Sequence, residues 1–104
     1  MRPKTITLTS TNSPVLYPVD YRLPAVTVQA DATGTVNYTA QYTAQNIHGI
    51  ATPATNASWS DITNMVGATT DQAQVVDASI NCLKFTLNSG SGSVAFHISQ
   101  ADSI

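Results

Sequence analysis

The chain of 104 residues carries four Lys or Arg and six Asp, with no Glu, for a formal charge of −2. Only 10% of residues are charged, against about 25% in ordinary domains, so the surface is largely neutral. This length predicts a single domain over 1–104 without a separate catalytic module, and the scattered cations Arg2, Lys4, Arg22 and Lys84 exclude the basic footprint of a nucleic-acid binder.

In chain order, "KTITLT" sets Ile6 and Leu8 on one face of a short strand and Thr5, Thr7 and Thr9 on the other. Residues 10 to 24 hold three prolines and are expected to form an extended arm pinned by Tyr17 and Tyr21. "AVTVQA" alternates Val26 and Val28 with Thr27 and Gln29, and "DATG" with Asp31 and Gly34 reads as a turn. "GTVNYTAQYTAQ" returns with Val36, Tyr38, Ala40, Tyr42 and Ala44 on an apolar face and Asn37, Thr39, Gln41, Thr43 and Gln45 on a polar, uncharged one. Residues 24 to 45 are therefore expected to form a hairpin.

"NIHGIATPATNA" reads as a long surface loop, and "SWSDI" as a short strand taking Trp59 into the core. "TNMVGATTDQAQ" is loop-like, with room for one helical turn ending at Gly67 and with Asp61 as the cap of a turn at residues 62 to 66. "VVDASINCLKFTLNS" supplies one or two strands with Leu83, Phe85 and Leu87 on one parity. "GSG" then turns into "SVAFHISQ", where Val94, Phe96 and Ile98 oppose Ala95, His97 and Ser99; residues 80 to 100 read as the strongest hairpin of the chain.

Six or seven short strands without an amphipathic helix of ten residues predict an all-β, antiparallel β-sandwich. An immunoglobulin-like sandwich is the first expectation, and a jelly-roll-like one or a small barrel the next. Residues 1–23 would form the first strand and the proline-rich arm, and 24–104 the main sandwich.

The chemistry is sparse. Cys82 stands alone and is read as a small buried hydrophobe, and no His/Cys spacing suits structural zinc. The six aspartates form no calcium-loop pattern, and His48 and His97 lack a partner motif, so neither enzyme activity nor a cofactor or metal is expected. "MRPKTITLTS" is not read as a secretory signal, no run is long enough to span a membrane, and neither nucleic acid nor membrane is expected as a partner.

The succession of "GTVNYTAQYTAQ", "PATNASW", "SDITNMVGATT" and "LKFTLNSGSGSVAFHISQ" resembles a group of small tailed-bacteriophage proteins encoded among virion structural genes. "NMVGATT" and "VVDASINCLKF" depart from that group's pattern. The resemblance implies a non-enzymatic virion component with a β-sandwich fold, present in many copies or as a homo-oligomer and assembled in the bacterial cytoplasm. A capsid decoration or cement protein on the major capsid protein is the first expectation, and a neck, tail or baseplate ring component the second. Expected contacts are Tyr17 and Tyr21 in the arm, Asn37, Thr39, Gln41 and Thr43 on the polar face, and Ile47, His48 and Ile50 in the loop. A carbohydrate-binding host-attachment module using Tyr17, Tyr21, Trp59 or His48 is the alternative from another class.

Overall fold

A computed structural model describes residues 4–9, 14–19, 25–45, 47–76 and 80–100. Eight strands follow in order: β1 (Lys4–Leu8), β2 (Val15–Pro18), β3 (Val26–Thr33), β4 (Asn37–Thr43), β5 (Ser60–Asp61), β6 (Gln72–Val76), β7 (Cys82–Ser89) and β8 (Ser93–Gln100). A 3-10 turn, Ile47–Gly49, and a one-turn helix α1, Pro53–Asn56, lie between β4 and β5. The strands form two four-stranded sheets, a first of order β1-β8-β3-β6 and a second of order β2-β7-β4-β5, with every neighbouring pair antiparallel.

The expected β-sandwich is present, and its strand order decides between the two kinds. The pairs β1 with β8, β2 with β7, β3 with β6 and β4 with β5 are those of one long hairpin wrapped over itself. Contacts of β3 with β8 and of β4 with β7 close the wrap. Eight strands in this order make a jelly roll and not an immunoglobulin-like sandwich.

Both expected hairpins are overturned. Strand β3 lies in the first sheet and β4 in the second, and β7 and β8 are divided in the same way. Each pair is an arch in which the chain crosses the core and the two strands face each other through side chains. Alternation is blind to this difference, because a strand buries one face whether its successor pairs beside it or stacks above it. Asp31 accordingly stands within β3 opposite Ala95, not in a turn.

The apolar parities meet between the sheets. Val28 and Ala30 of β3, Phe96 and Ile98 of β8, Tyr38 and Ala40 of β4, and Leu83 and Phe85 of β7 are all fully buried. Phe85 stacks on Phe96 across the sheets at 4.3 Å between ring centres, and Tyr38 meets Phe96 edge-on at 5.5 Å. The Tyr38 hydroxyl donates to the Thr70 carbonyl at 2.6 Å, so the one polar group of this aromatic cluster is satisfied. Cys82 is buried, as expected.

Other expectations change in detail. The proline-rich arm contains β2, which pairs with β7 and ends at Pro18, a position an edge strand tolerates. Tyr17 packs half-buried against the core, whereas Tyr21 lies outside the described residues. Strand β6 begins inside the segment read as a loop. Residues 62 to 65 form a turn closed by Met65 N–H on the Ile62 carbonyl, not a helix, and both of those side chains are buried. Asp61 does not cap it: its carboxylate accepts from Gln41 Nε2 at 2.8 Å across β4 and β5.

The two arches touch at glycines. Gly92 N–H donates to the Thr35 carbonyl at 2.9 Å, and a Cβ on Gly92 would collide with the Thr33 carbonyl oxygen. Gly90, at φ 111°, would collide with the Thr35 carbonyl oxygen in the same way. Gly92→Ala is therefore expected to destabilise the fold by more than about 2 kcal/mol, lowering the midpoint of thermal unfolding by circular dichroism by roughly 8 °C or more. Gly49→Ala, with open space around its added methyl, should leave the midpoint within about 2 °C.

Burial, with Asp71 and Asp31 nearby, pushes the Tyr38 hydroxyl up to about 12 from 10.0. The folded state thus holds this proton more tightly than the unfolded chain. Its contribution is complete below pH 10 and is lost as pH rises towards 12. Urea midpoints should fall across that window, and Tyr38→Phe should flatten the fall while costing about 1 kcal/mol at neutral pH from the orphaned Thr70 carbonyl.

Candidate interaction surfaces

The two sheets turn unlike outer faces to their surroundings. On the second sheet the outward residues are Asn37, Thr39, Gln41 and Thr43 of β4 and Cys82, Lys84, Thr86 and Asn88 of β7, by parity with the buried Leu83, Phe85 and Leu87. Thr43 and Cys82, opposite each other, are nevertheless 2% and 0% exposed. The segment carrying Ala54 and Trp59 crosses this face as a cover, since Lys84, two residues from Cys82 on the same parity, contacts both, and Ala57 within the segment is buried as well.

Lys84 anchors that cover. Its Nζ donates to the Ala54 carbonyl at 3.1 Å and lies 4.9 Å from the centre of the Trp59 ring, while Trp59 Nε1 donates to the Pro53 carbonyl at 3.0 Å. Burial lowers the Lys84 pKa, and Asp61 opposes part of that shift. Ser58 N–H donates to Gln45 Oε1 at 2.5 Å, and Asn81 Nδ2 to the Ala44 carbonyl at 2.6 Å, tying both margins. Trp59 thus sits half-buried on the outer face of the second sheet, not in the core as expected, because its ring is the platform for a cation.

The rest of the polar face is bonded internally. At the bulge between Asn37 and Tyr38, Asn88 is the extra residue, and its Nδ2 donates to Asn37 Oδ1 at 3.0 Å and Thr39 Oγ1 at 2.8 Å. Gly67 N–H also donates to Thr39 Oγ1, and Gln41 is held by Asp61. Of the expected contacts, Asn37, Thr39 and Gln41 are half-buried and Thr43 is withdrawn from the surface. Ile47 and Ile50 are half-buried and joined by the 3-10 turn through Ile50 N–H on the Ile47 carbonyl, while only the backbone of His48 is described. Tyr17 faces the core from β2, so these residues do not form one patch.

Among the described residues the outer face of the first sheet is open. Thr5 and Thr7 of β1, Ser99 of β8, Thr27, Gln29 and Thr33 of β3, and Ala73 and Val75 of β6 are exposed on it. A line of bonds crosses three strands: Thr5 Oγ1 lies 3.0 Å from His97 Nδ1, His97 Nε2 lies 3.0 Å from Asp31 Oδ2, and Gln29 Nε2 donates to Asp31 Oδ1 at 3.2 Å. A hydroxyl, an imidazole and a carboxylate in a row are the parts of a nucleophilic triad. Here the His97 and Asp31 side chains are each 44% exposed on an open sheet face, so the arrangement reads as a cross-strand polar ladder. Sequence parity places His97 outward but reads Asp31 as a turn residue, and their proximity follows only from the pairing of β3 with β8.

On the flank where β5 and β6 leave the sandwich ajar is a cleft of about 200 Å³. Tyr42, Asp61, Ile62 and Thr63 line it from the second sheet, and Gln74, Val75 and Val76 from the first. Among the described residues no group of His, Cys and Asp could hold a metal ion, and no helix is long and apolar enough to cross a membrane. The chain matches no protein-family model, no curated protein and no solved structure.

Lys84→Ala should loosen the cover over Cys82. The expected result is a red shift of Trp59 emission and at least about tenfold faster labelling of Cys82 by a thiol reagent, with loss of roughly 1–2 kcal/mol. The native thiol should label slowly, since burial shields it and pushes its pKa up.

Proposed function

We propose that this chain is a non-enzymatic structural protein of a tailed-phage virion, present in many copies and packed against other virion proteins. The observation that carries the reading is the outer face of the first sheet. It is a four-stranded surface mainly of Thr, Ser, Ala and Gln, with Val75 at its margin, on which the carboxylate of Asp31 is paired with His97. Charged groups are depleted at the centres of protein interfaces, because each must be stripped of water, so such a face suits close packing better than capture of a charged ligand.

Two further points support it. The segments that carry the phage resemblance fall on defined elements: "GTVNYTAQYTAQ" leads into and spans β4, "PATNASW" is α1 with its cover tryptophan, and "LKFTLNSGSGSVAFHISQ" is the arch from β7 to β8. The jelly roll is also a recurrent architecture of viral capsid proteins, which is support by analogy of fold. Within the virion we assign it to the capsid exterior as a decoration protein on the major capsid protein, with a ring at the neck, tail or baseplate as the second placing.

Mass spectrometry of purified particles of the phage encoding this chain should detect it in many copies, and a cryo-electron-microscopy map should place it on the capsid surface with the open face of the first sheet turned to a neighbour. Density in a ring at the neck or tail would select the second placing, and absence from the particle would overturn the virion reading.

A further inference from the structure

The four edges of this sandwich are not alike. In the second sheet β2 ends in Pro18, and β5 is two residues long and carries Asp61, so both are poor templates for another strand. In the first sheet β6 is five residues, "QAQVV", without charge, proline or bulge. At the opposite edge β1 is also five residues, "KTITL".

We infer that β6 of one copy pairs with β1 of the next, joining first sheets side by side. The inference rests on the proposed many-copy role and names the contact that would build it. The order β1-β8-β3-β6 alternates in direction, so β1 and β6 run opposite ways. Two copies in the same orientation therefore meet as an antiparallel pair, and the contact repeats head to tail.

The strands also fit in register. With Lys4 opposite Val76 and Leu8 opposite Gln72, all five residues pair. Ile6 and Gln74 then share the inner face, while Thr5 faces Val75 and Thr7 faces Ala73 outside. Charge favours a second copy as the occupant. Lys4 lies on β1 and Arg2 precedes it in sequence, whereas Asp71 precedes β6, Asp77 follows it and Asp61 lines the cleft beside it.

The β6 flank has an independent mark. The two large hydrophobic side chains exposed among the described residues, Val75 at 60% and Val66 at 57%, both stand on it. Val75 belongs to β6, and Val66 lies between Met65 and Ala68, which bond to β4 along the margin continuing β5. A neighbouring sandwich would cover both the valines and the cleft.

The test is cysteine cross-linking of the full chain, with Thr7→Cys and Ala73→Cys combined. These exposed positions face each other in the register, so mild oxidation should give a covalent ladder of dimers, trimers and higher species on a denaturing gel, with neither single variant forming the ladder. In sedimentation, the unmodified protein should associate with rising concentration and less so in high salt. Val75→Lys should weaken association by about tenfold or more with an unchanged circular dichroism spectrum. A chain that stays monomeric at millimolar concentration, or equal cross-linking by either single variant, overturns the pairing. Such a monomer found abundantly in particles would sink the edge contact alone, while a ladder-forming protein absent from particles would sink the virion reading alone.

Discussion

Where the strand β3 leaves the first sheet and the strand β8 enters it, the backbone around Thr33 and Thr35 lies against Gly90 and Gly92 with no space for a Cβ between them. That approach is the constraint on which the wrapped hairpin depends. For β3 to lie beside β8 while β4 lies beside β7, both arches must cross the core at the same end of the sandwich, one upon the other. Side chains there would force the crossings apart and pull Tyr38, Phe85 and Phe96 out of contact. The "GSG" that looks like an ordinary hairpin turn is thus a spacing requirement set by another segment nearly sixty residues away in the chain.

The strands with contrasting faces were legible, and their partners were not. Period-two alternation located β1, β3, β4, β7 and β8 and marked the residues that would be buried, down to Leu83, Phe85 and Leu87. It carries no information about which sheet a strand joins, so two arches passed for hairpins. β2 was hidden because proline argues against a central strand, although here it ends an edge. The first half of β6 reads as loop, although Val75 and Val76 fall in a segment read as strand, because Gln72 and Gln74 occupy its inner parity at the open flank, where a full apolar face is not required. An edge strand answers to fewer neighbours, and its sequence is correspondingly less patterned.

The polar face of β4 illustrates a second limit. Its parity was right, yet Thr43 is buried and Asn37, Thr39 and Gln41 spend their hydrogen bonds within the molecule. Outward from a sheet does not mean outward to solvent when a later segment folds across it. Of the residues doing so, 47–57 are mostly small or polar, carry no Asp, Lys or Arg and show no periodicity, so they read as loop, while Ser58 and Trp59 read as the start of a strand. What holds them is supplied elsewhere, by Lys84 on β7 lying over Trp59. Covering one sheet leaves the other as the broad surface, which is why the ladder of Thr5, His97 and Asp31 became the notable outward feature although no motif announced it.

These features support the proposed packing against neighbours. Net charge keeps free monomers apart, and this chain has little of it; charged or interrupted edges prevent strands from pairing between molecules, and the first sheet lacks them at β6. For a protein working alone both traits would be liabilities. In the proposed array they would become the means of assembly, because a largely uncharged sheet face packs with little stripping of water from charges, and an open edge offers backbone groups that another strand can pair in place of water. The first sheet combines the uncovered face with the uninterrupted edges, while the second sheet carries the cover, the proline and the truncated β5. Its four alternately directed strands give the first sheet oppositely directed edges, so the same surface can be continued from copy to copy without inverting the molecule.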